Sequence, residues 1–133
     1  TGILEYSNAS HDSPYILRKQ EAPYKRNDIE PILGENGPRL GETLESQYFD
    51  EMVALQPGDR VVFYTDGVPE ILNNKNEQWG EGKFVRSMVK AFNSGTNIKE
   101  VGDELIRLAY DFRGDEILHD DVTCFILEYK GGA

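Results

Sequence analysis

Two short acidic stretches hold the residue types with which this chain could do chemistry. In FYTDGVPEILN, Phe63 to Asn73, a run suited to a buried strand ends on Asp66-Gly67, and a further acid, Glu70, follows Pro69. In HDDVTCFIL, Asp120-Asp121 stands just ahead of another strand-like run. Carboxylates at strand ends suit hard cations such as Mg²⁺ or Mn²⁺, because the strand fixes the backbone and oxygen is the preferred donor. Gly67 has no side chain, so a metal-bound water or a phosphate could approach the backbone closely there. Side chains alternate across a strand, so Asp120 and Asp121 point in different directions and at most one faces the same site as Asp66. A plainer reading competes: Asp-Gly is a turn and Asp-Asp a solvated strand start. Carboxylates are so common in turns that spacing alone favours the plainer reading.

The other reactive residue types signal less. A nucleophile–histidine–acid set can be assembled on paper from His11 or His119. No serine has a nucleophile-elbow context, however, and the single cysteine, Cys124, falls within an alternating strand. His11 reads as a loop hydrogen-bonding residue, His119 as a surface residue and Cys124 as core. LGENGPRLG, Leu33 to Gly41, lacks nucleotide-loop spacing and a strand-to-helix switch.

The elements that must position these residues follow from hydrophobic period. Ile3 to Ala9 and Tyr15 to Arg18 read as strands joined by the turn-rich NASHDSP, which predicts a hairpin. Residues 21–41, broken by proline and glycine, form a surface excursion with one short strand near Ile32. Tyr48 to Leu55 alternates, with Phe49, Val53 and Leu55 on one face; QPGD then turns into a strand at Arg60 to Thr65, predicting a second hairpin. Phe84, Met88 and Phe92 recur at helical spacing, and Val101, Leu105, Leu108 and Phe112 form a second stripe behind an Asn97 cap. Trp79 is a packing anchor ahead of the first helix, and Val122 to Tyr129 is a last strand. Strands, two helices and a final strand make an α+β pattern.

The 133 residues suffice for one domain with a real core and are too few for two ordinary ones. With 38% hydrophobic and 29% charged residues the composition is that of a soluble globular chain. A formal net charge of −10 repels nucleic acid phosphates and anionic membranes, so neither is an expected partner. One cysteine excludes an internal disulfide and a cysteine-based zinc site. No apolar run approaches the length of a membrane span, and no signal peptide opens the chain. The strand-like start without an initiator methionine suggests a piece of a longer protein.

LEYSNASHDSPYIL, the Leu40-Gly41 pair, ALQPGDRVVFYTDGVPEILN, WGEGKF and HDDVTCFIL occur in this order. Together they resemble the C-terminal part of a PPM-type metal-dependent protein serine/threonine phosphatase, in the bacterial branch typified by stage II sporulation protein E and the phosphatases of sigma-factor partner-switching. The resemblance runs through essentially the whole chain, so residues 1–133 correspond to the C-terminal portion of a single domain. It implies a β-sandwich with flanking helices and a pair of Mg²⁺ or Mn²⁺ ions at one edge. Hydrolysis of phosphoserine or phosphothreonine by a metal-bound water, without a covalent enzyme intermediate, is implied too. Asp66 matches the metal-binding aspartate of the family's TDG motif, Gly67 its glycine, and Asp120 the metal-binding first acid of its DD or DN motif. Asp121, His11 and Asn8 lie near the site by the same match. A cytoplasmic bacterial signalling enzyme is implied, acting on a phosphoprotein such as an anti-sigma factor antagonist.

Two departures stand out. The family's upstream acidic motif, a D-x-S-G-H-G-like stretch that supplies a bridging ligand, has no counterpart here. This chain alone is therefore expected to be inactive, and a non-catalytic binding or regulatory module is the alternative; a metal-binding domain unrelated to phosphatases is a third reading. In addition, the family's NAGH reads Asn8-Ala9-Ser10-His11, which puts a Cβ where the turn calls for positive φ. Three structural expectations follow: both helices pack on one sheet face; exposed strand edges lead to a homodimer or strand exchange; and Asp66 and Asp120 converge while Asp121 points elsewhere.

Overall fold

The computed structural model describes residues 1–132. Its strands are β1 (Ile3–Ala9), β2 (Tyr15–Leu17), β3 (Glu30–Pro31), β4 (Asn36–Gly37), β5 (Asp50–Ala54), β6 (Arg60–Tyr64) and β7 (Cys124–Glu128). The helices are α1 (Gly80–Ser94) and α2 (Ile98–Arg113), and a 3₁₀ turn spans Arg26–Asp28. Two sheets form, ordered β4-β1-β5 and β3-β2-β6-β7. No helix among the described residues is long and apolar enough to cross a membrane.

Both predicted hairpins are corrected. β1 pairs antiparallel with β5, and β2 with β6, so each expected partner lies in the other sheet. The NASHDSP and QPGD segments carry the chain from sheet to sheet instead of reversing it within one. Asp59 fixes the second crossing. Its carboxylate accepts from the Gln56 amide at 2.9 Å, the Lys19 amide at 2.9 Å and the Arg18 guanidinium at 2.7 Å. Asp59 is 2% exposed. Burial pushes its pKa up, but the two amides and Arg18 outweigh that and hold it below the ordinary carboxylate value.

Strand alternation divides the apolar residues between two cores. Ile16, Ile32, Leu55 and Val61 fill the space between the sheets, with Leu4, Tyr6, Val53 and Leu127 packed around them. Leu17, Val62 and Tyr64 face the other way, onto Phe84, Met88, Val101 and Leu105 of the helices. The helices therefore pack together on one sheet face, as their stripes predict. Trp79 is buried against Phe84, with ring centroids 5.6 Å apart. Asn97 caps α2 by accepting from the Glu100 amide at 3.0 Å. Phe49, expected to face inward with Val53 and Leu55, precedes β5 and is exposed. β7 is hydrogen-bonded to β6 alone, so its far edge is open among the described residues.

Candidate functional site

Register brings the two acidic stretches together. β6 and β7 pair antiparallel down to Tyr64 opposite Cys124. The ladder extends past the strand ends through Thr65. Its amide donates to the Thr123 carbonyl at 3.0 Å, and its hydroxyl accepts from the Thr123 amide at 3.1 Å. Gly67 then lies directly on the Asp120-Asp121 backbone. A Cβ built there would collide with the Asp121 carbonyl oxygen and stand 3.7 Å from the Asp120 Cβ. Close backbone contact, not a left-handed φ, is what glycine satisfies at this position.

Asp66 is exposed on the rim of a cavity of about 540 Å³, also lined by His11, Asp12, Glu70 and Glu81. Asp120 lines an adjoining cavity of about 240 Å³ with Gly67 and His119. Glu70 borders both cavities. Its amide donates to the Asp66 carbonyl at 3.2 Å, one helical turn on, which places it above Asp66. Sequence reasoning gave Glu70 no role; the i, i+4 spacing from Asp66 was the available signal. Asp120 accepts the Asp121 amide on its own carboxylate at 2.7 Å. Asp121 offers its backbone carbonyl to the Thr65 hydroxyl at 3.4 Å and lines neither cavity.

The Asn8–His11 turn forms one wall. Asn8 Oδ1 accepts from the His11 amide at 2.8 Å, and Asn8 Nδ2 donates to the His11 carbonyl at 3.0 Å. Asn36 braces the same turn by accepting from the Ser10 amide at 2.7 Å. Ser10 has φ 66°, a left-handed conformation that glycine adopts without strain. Asn8 thus staples the turn that presents His11 to the cavity, and the His11 ring lies 2.9 Å from the Asp12 carbonyl through Nδ1. His119 is exposed beside Glu116, at 3.2 Å. Cys124, expected in the core, is instead solvent-accessible in the crevice between β7 and α2. Desolvation in that crevice still raises its thiol pKa to about 11, so it is no ready nucleophile.

Asp66, Glu70 and Asp120 are the right donor chemistry for Mg²⁺ or Mn²⁺, but they do not make a complete site. Among the described residues no three His, Cys, Asp or Glu side chains are placed to hold one ion. An octahedral cation bound here would keep most of its water.

The family model described as "Stage II sporulation protein E (SpoIIE)" matches residues 1–130. Protein IcfG of Synechocystis sp. is 25% identical over 100 residues, covering 75% of this chain and 15% of that protein. The RsbU and RsbW domains of Rv1364c from Mycobacterium tuberculosis superpose with a TM-score of 0.74 at 19% identity, over 100% of this chain and 35% of that one. The SiaA-PP2C domain of Pseudomonas aeruginosa gives 0.66 at 16% identity, over 94% and 46%. The phosphatase domain of the cell fate determinant SpoIIE from Bacillus subtilis gives 0.62 at 14% identity, over 98% and 52%. At these identities the solved structures speak for the fold alone. The chain spans about half or less of the length of each.

Proposed function

Because the chain belongs to the stage II sporulation protein E family, a branch of the PPM-type phosphatases, we propose that it is the C-terminal portion of a domain that hydrolyses phosphoserine or phosphothreonine on a signalling protein. The observation that carries this reading is the contact of Gly67 with the Asp120-Asp121 backbone. It joins two acidic stretches, distant in sequence, at one sandwich edge beside a cavity of about 540 Å³. Asp66 and Asp120 would be oxygen ligands of a Mg²⁺ or Mn²⁺ centre whose remaining donors lie outside this chain. Clustered carboxylates repel one another, and a cation is what stabilises their shared ionised state. An anti-sigma factor antagonist in the cytoplasm is the proposed type of substrate.

The test is metal-dependent turnover in a longer protein that joins an upstream acidic segment to this chain. Asp66→Asn and Asp120→Asn should each remove most of the activity, and Asp121→Asn should do less. Near-normal turnover of Asp66→Asn at limiting Mn²⁺ would overturn the ligand assignment. A second reading, a phosphatase-like module that binds without catalysis, is favoured by the incomplete donor set of this chain. Turnover in the longer protein separates the two.

A further inference from the structure

A phosphoryl group in the Asp66 cavity needs hydrogen-bond donors, and the walls offer few. Asp12, Asp66, Glu70 and Glu81 can only accept when ionised. Among the described residues no lysine or arginine lines this cavity or the Asp120 cavity beside it. The side chains there that can carry positive charge are His11 and His119. His119 is turned to Glu116 through Nε2, at 3.2 Å. His11 forms no ion pair among the described residues. Of the neutral donors, the Thr65 hydroxyl is turned to the Asp121 and Thr123 carbonyls at 3.4 and 3.5 Å. Ser10 and Gln78 are the others, and neither carries charge.

His11 is exposed, yet its backbone is held from two strands. Asn8 bonds both its amide and its carbonyl. Asn36 Nδ2 donates to the same carbonyl at 3.2 Å, while its Oδ1 takes the Ser10 amide. Asn8 and Asn36 are register partners in the parallel pairing of β1 with β4. Ser10 keeps its left-handed φ between them, and a strained residue of this kind persists where its surroundings over-determine it. The ring is tied as well. A carbonyl only accepts, so the 2.9 Å contact of Nδ1 with the Asp12 carbonyl puts a proton on Nδ1. Nε2 is then the nitrogen left to meet a ligand, and in the imidazolium form it donates.

Resting on the phosphatase reading, we propose that His11 is a phosphate-binding residue, its imidazolium donating from Nε2 to a terminal oxygen of the substrate's phosphoryl group. A cation offsets the carboxylates of the site. A directional, charge-assisted N–H···O bond from a tethered ring orients the phosphoryl oxygens. A ring on a fixed turn also loses little freedom when the ligand arrives. Asn8 and Asn36 are then positioning residues that act through His11.

The experiment uses the full-length protein with Mg²⁺ and takes inorganic phosphate as the probe, its Kd read by ³¹P NMR titration. Turnover of a phosphoserine peptide is measured alongside. Two amide variants separate the ring nitrogens. His11→Asn can keep the bond to the Asp12 carbonyl but loses the Nε2 donor, whereas His11→Gln places an amide N–H near the Nε2 position. His11→Ala and His11→Asn should each weaken phosphate binding about tenfold or more, the size of a hydrogen bond to a charged group. His11→Gln, with a neutral donor, should come back to within about threefold of wild type. Mg²⁺ affinity without phosphate, measured by calorimetry, should change less than about twofold, since imidazole suits a hard oxygen-seeking cation poorly. No phosphate binding by wild type, equal phosphate Kd for wild type and His11→Ala, or rescue by Asn in place of Gln would overturn the proposal. The binding arm needs no turnover. A wild-type protein that leaves the peptide intact overturns the phosphatase reading, and the phosphate Kd series still decides the role of His11.

Discussion

Replacing Gly67 with alanine adds one methyl group at the most crowded backbone contact in the site. The new Cβ would overlap the Asp121 carbonyl oxygen and lie 3.0 Å from its carbonyl carbon. Both obstructing atoms are backbone, so no side-chain rotation relieves the clash. The TDG loop and the Asp120-Asp121 segment must separate. Forcing a methyl into a packed site costs about 1–3 kcal/mol. Separation also strains the Thr65–Thr123 pair, bonded at 3.0 and 3.1 Å, and each such bond contributes about 0.5–1.5 kcal/mol net. The expected loss is about 2–4 kcal/mol, which lowers Tm by about 6–15 °C for a domain of this size. Circular dichroism melts of this chain measure it. Gly102→Ala is the control: it lies within α2, where a Cβ meets nothing within 4 Å, and it should stabilise by about 0.5–1 kcal/mol through helix propensity. In the longer protein, Gly67→Ala should also cut turnover at least about tenfold at temperatures where it remains folded, because the spacing of Asp66 and Asp120 changes. A Gly67→Ala melt within a degree or so of wild type would refute the argument that backbone contact demands glycine here.

Asp59→Asn should cost about 2–3 kcal/mol at neutral pH, since it leaves Arg18 and two amides facing a weaker acceptor. The Asp59 pKa is lowered on folding, so its stabilisation is present above the unfolded value of about 3.9 and is lost as pH falls through the folded one. Denaturant titrations from neutral pH into that acid range should therefore show the wild-type and variant curves converge. Ser10→Gly relieves a left-handed φ of 66° and should raise stability by about 0.5–1 kcal/mol, visible as a higher Tm. The open edge of β7 should draw a second copy into a dimer or strand exchange; sedimentation showing a stable monomer at high concentration would count against it.

How much of this was legible depended on the range of each signal. The stripes of Phe84, Met88 and Phe92 and of Val101, Leu105 and Leu108 mark both helices, because helical period is a local property. Strand positions were local too, but strand partners were not. QPGD between two strand-like runs reads as a hairpin turn, and only the buried Asp59, bonded across to Lys19 and Arg18, shows that the chain is changing sheets. Asp66 and Asp120 were ambiguous by spacing, and their proposed ligand roles come only from the family resemblance. Glu70 needed the turn conformation after Asp66, which no periodicity announces.

The two crossings between sheets bear on how the chain folds. Neither sheet is built from one continuous stretch. Ile3 waits for Ala54, Tyr15 for Val62, and Arg60 for Glu128. Such long-range pairing means high contact order, and high contact order slows folding because distant loops must close before their contacts hold them. On the ribosome, the helix-covered sheet cannot gain its β7 strand until Cys124–Glu128 emerge. The edge of β6 that β7 will occupy stays open until then. Release of a chain stopped short of Asp120 would leave that edge, and the seat of Gly67, without the backbone against which both are shaped.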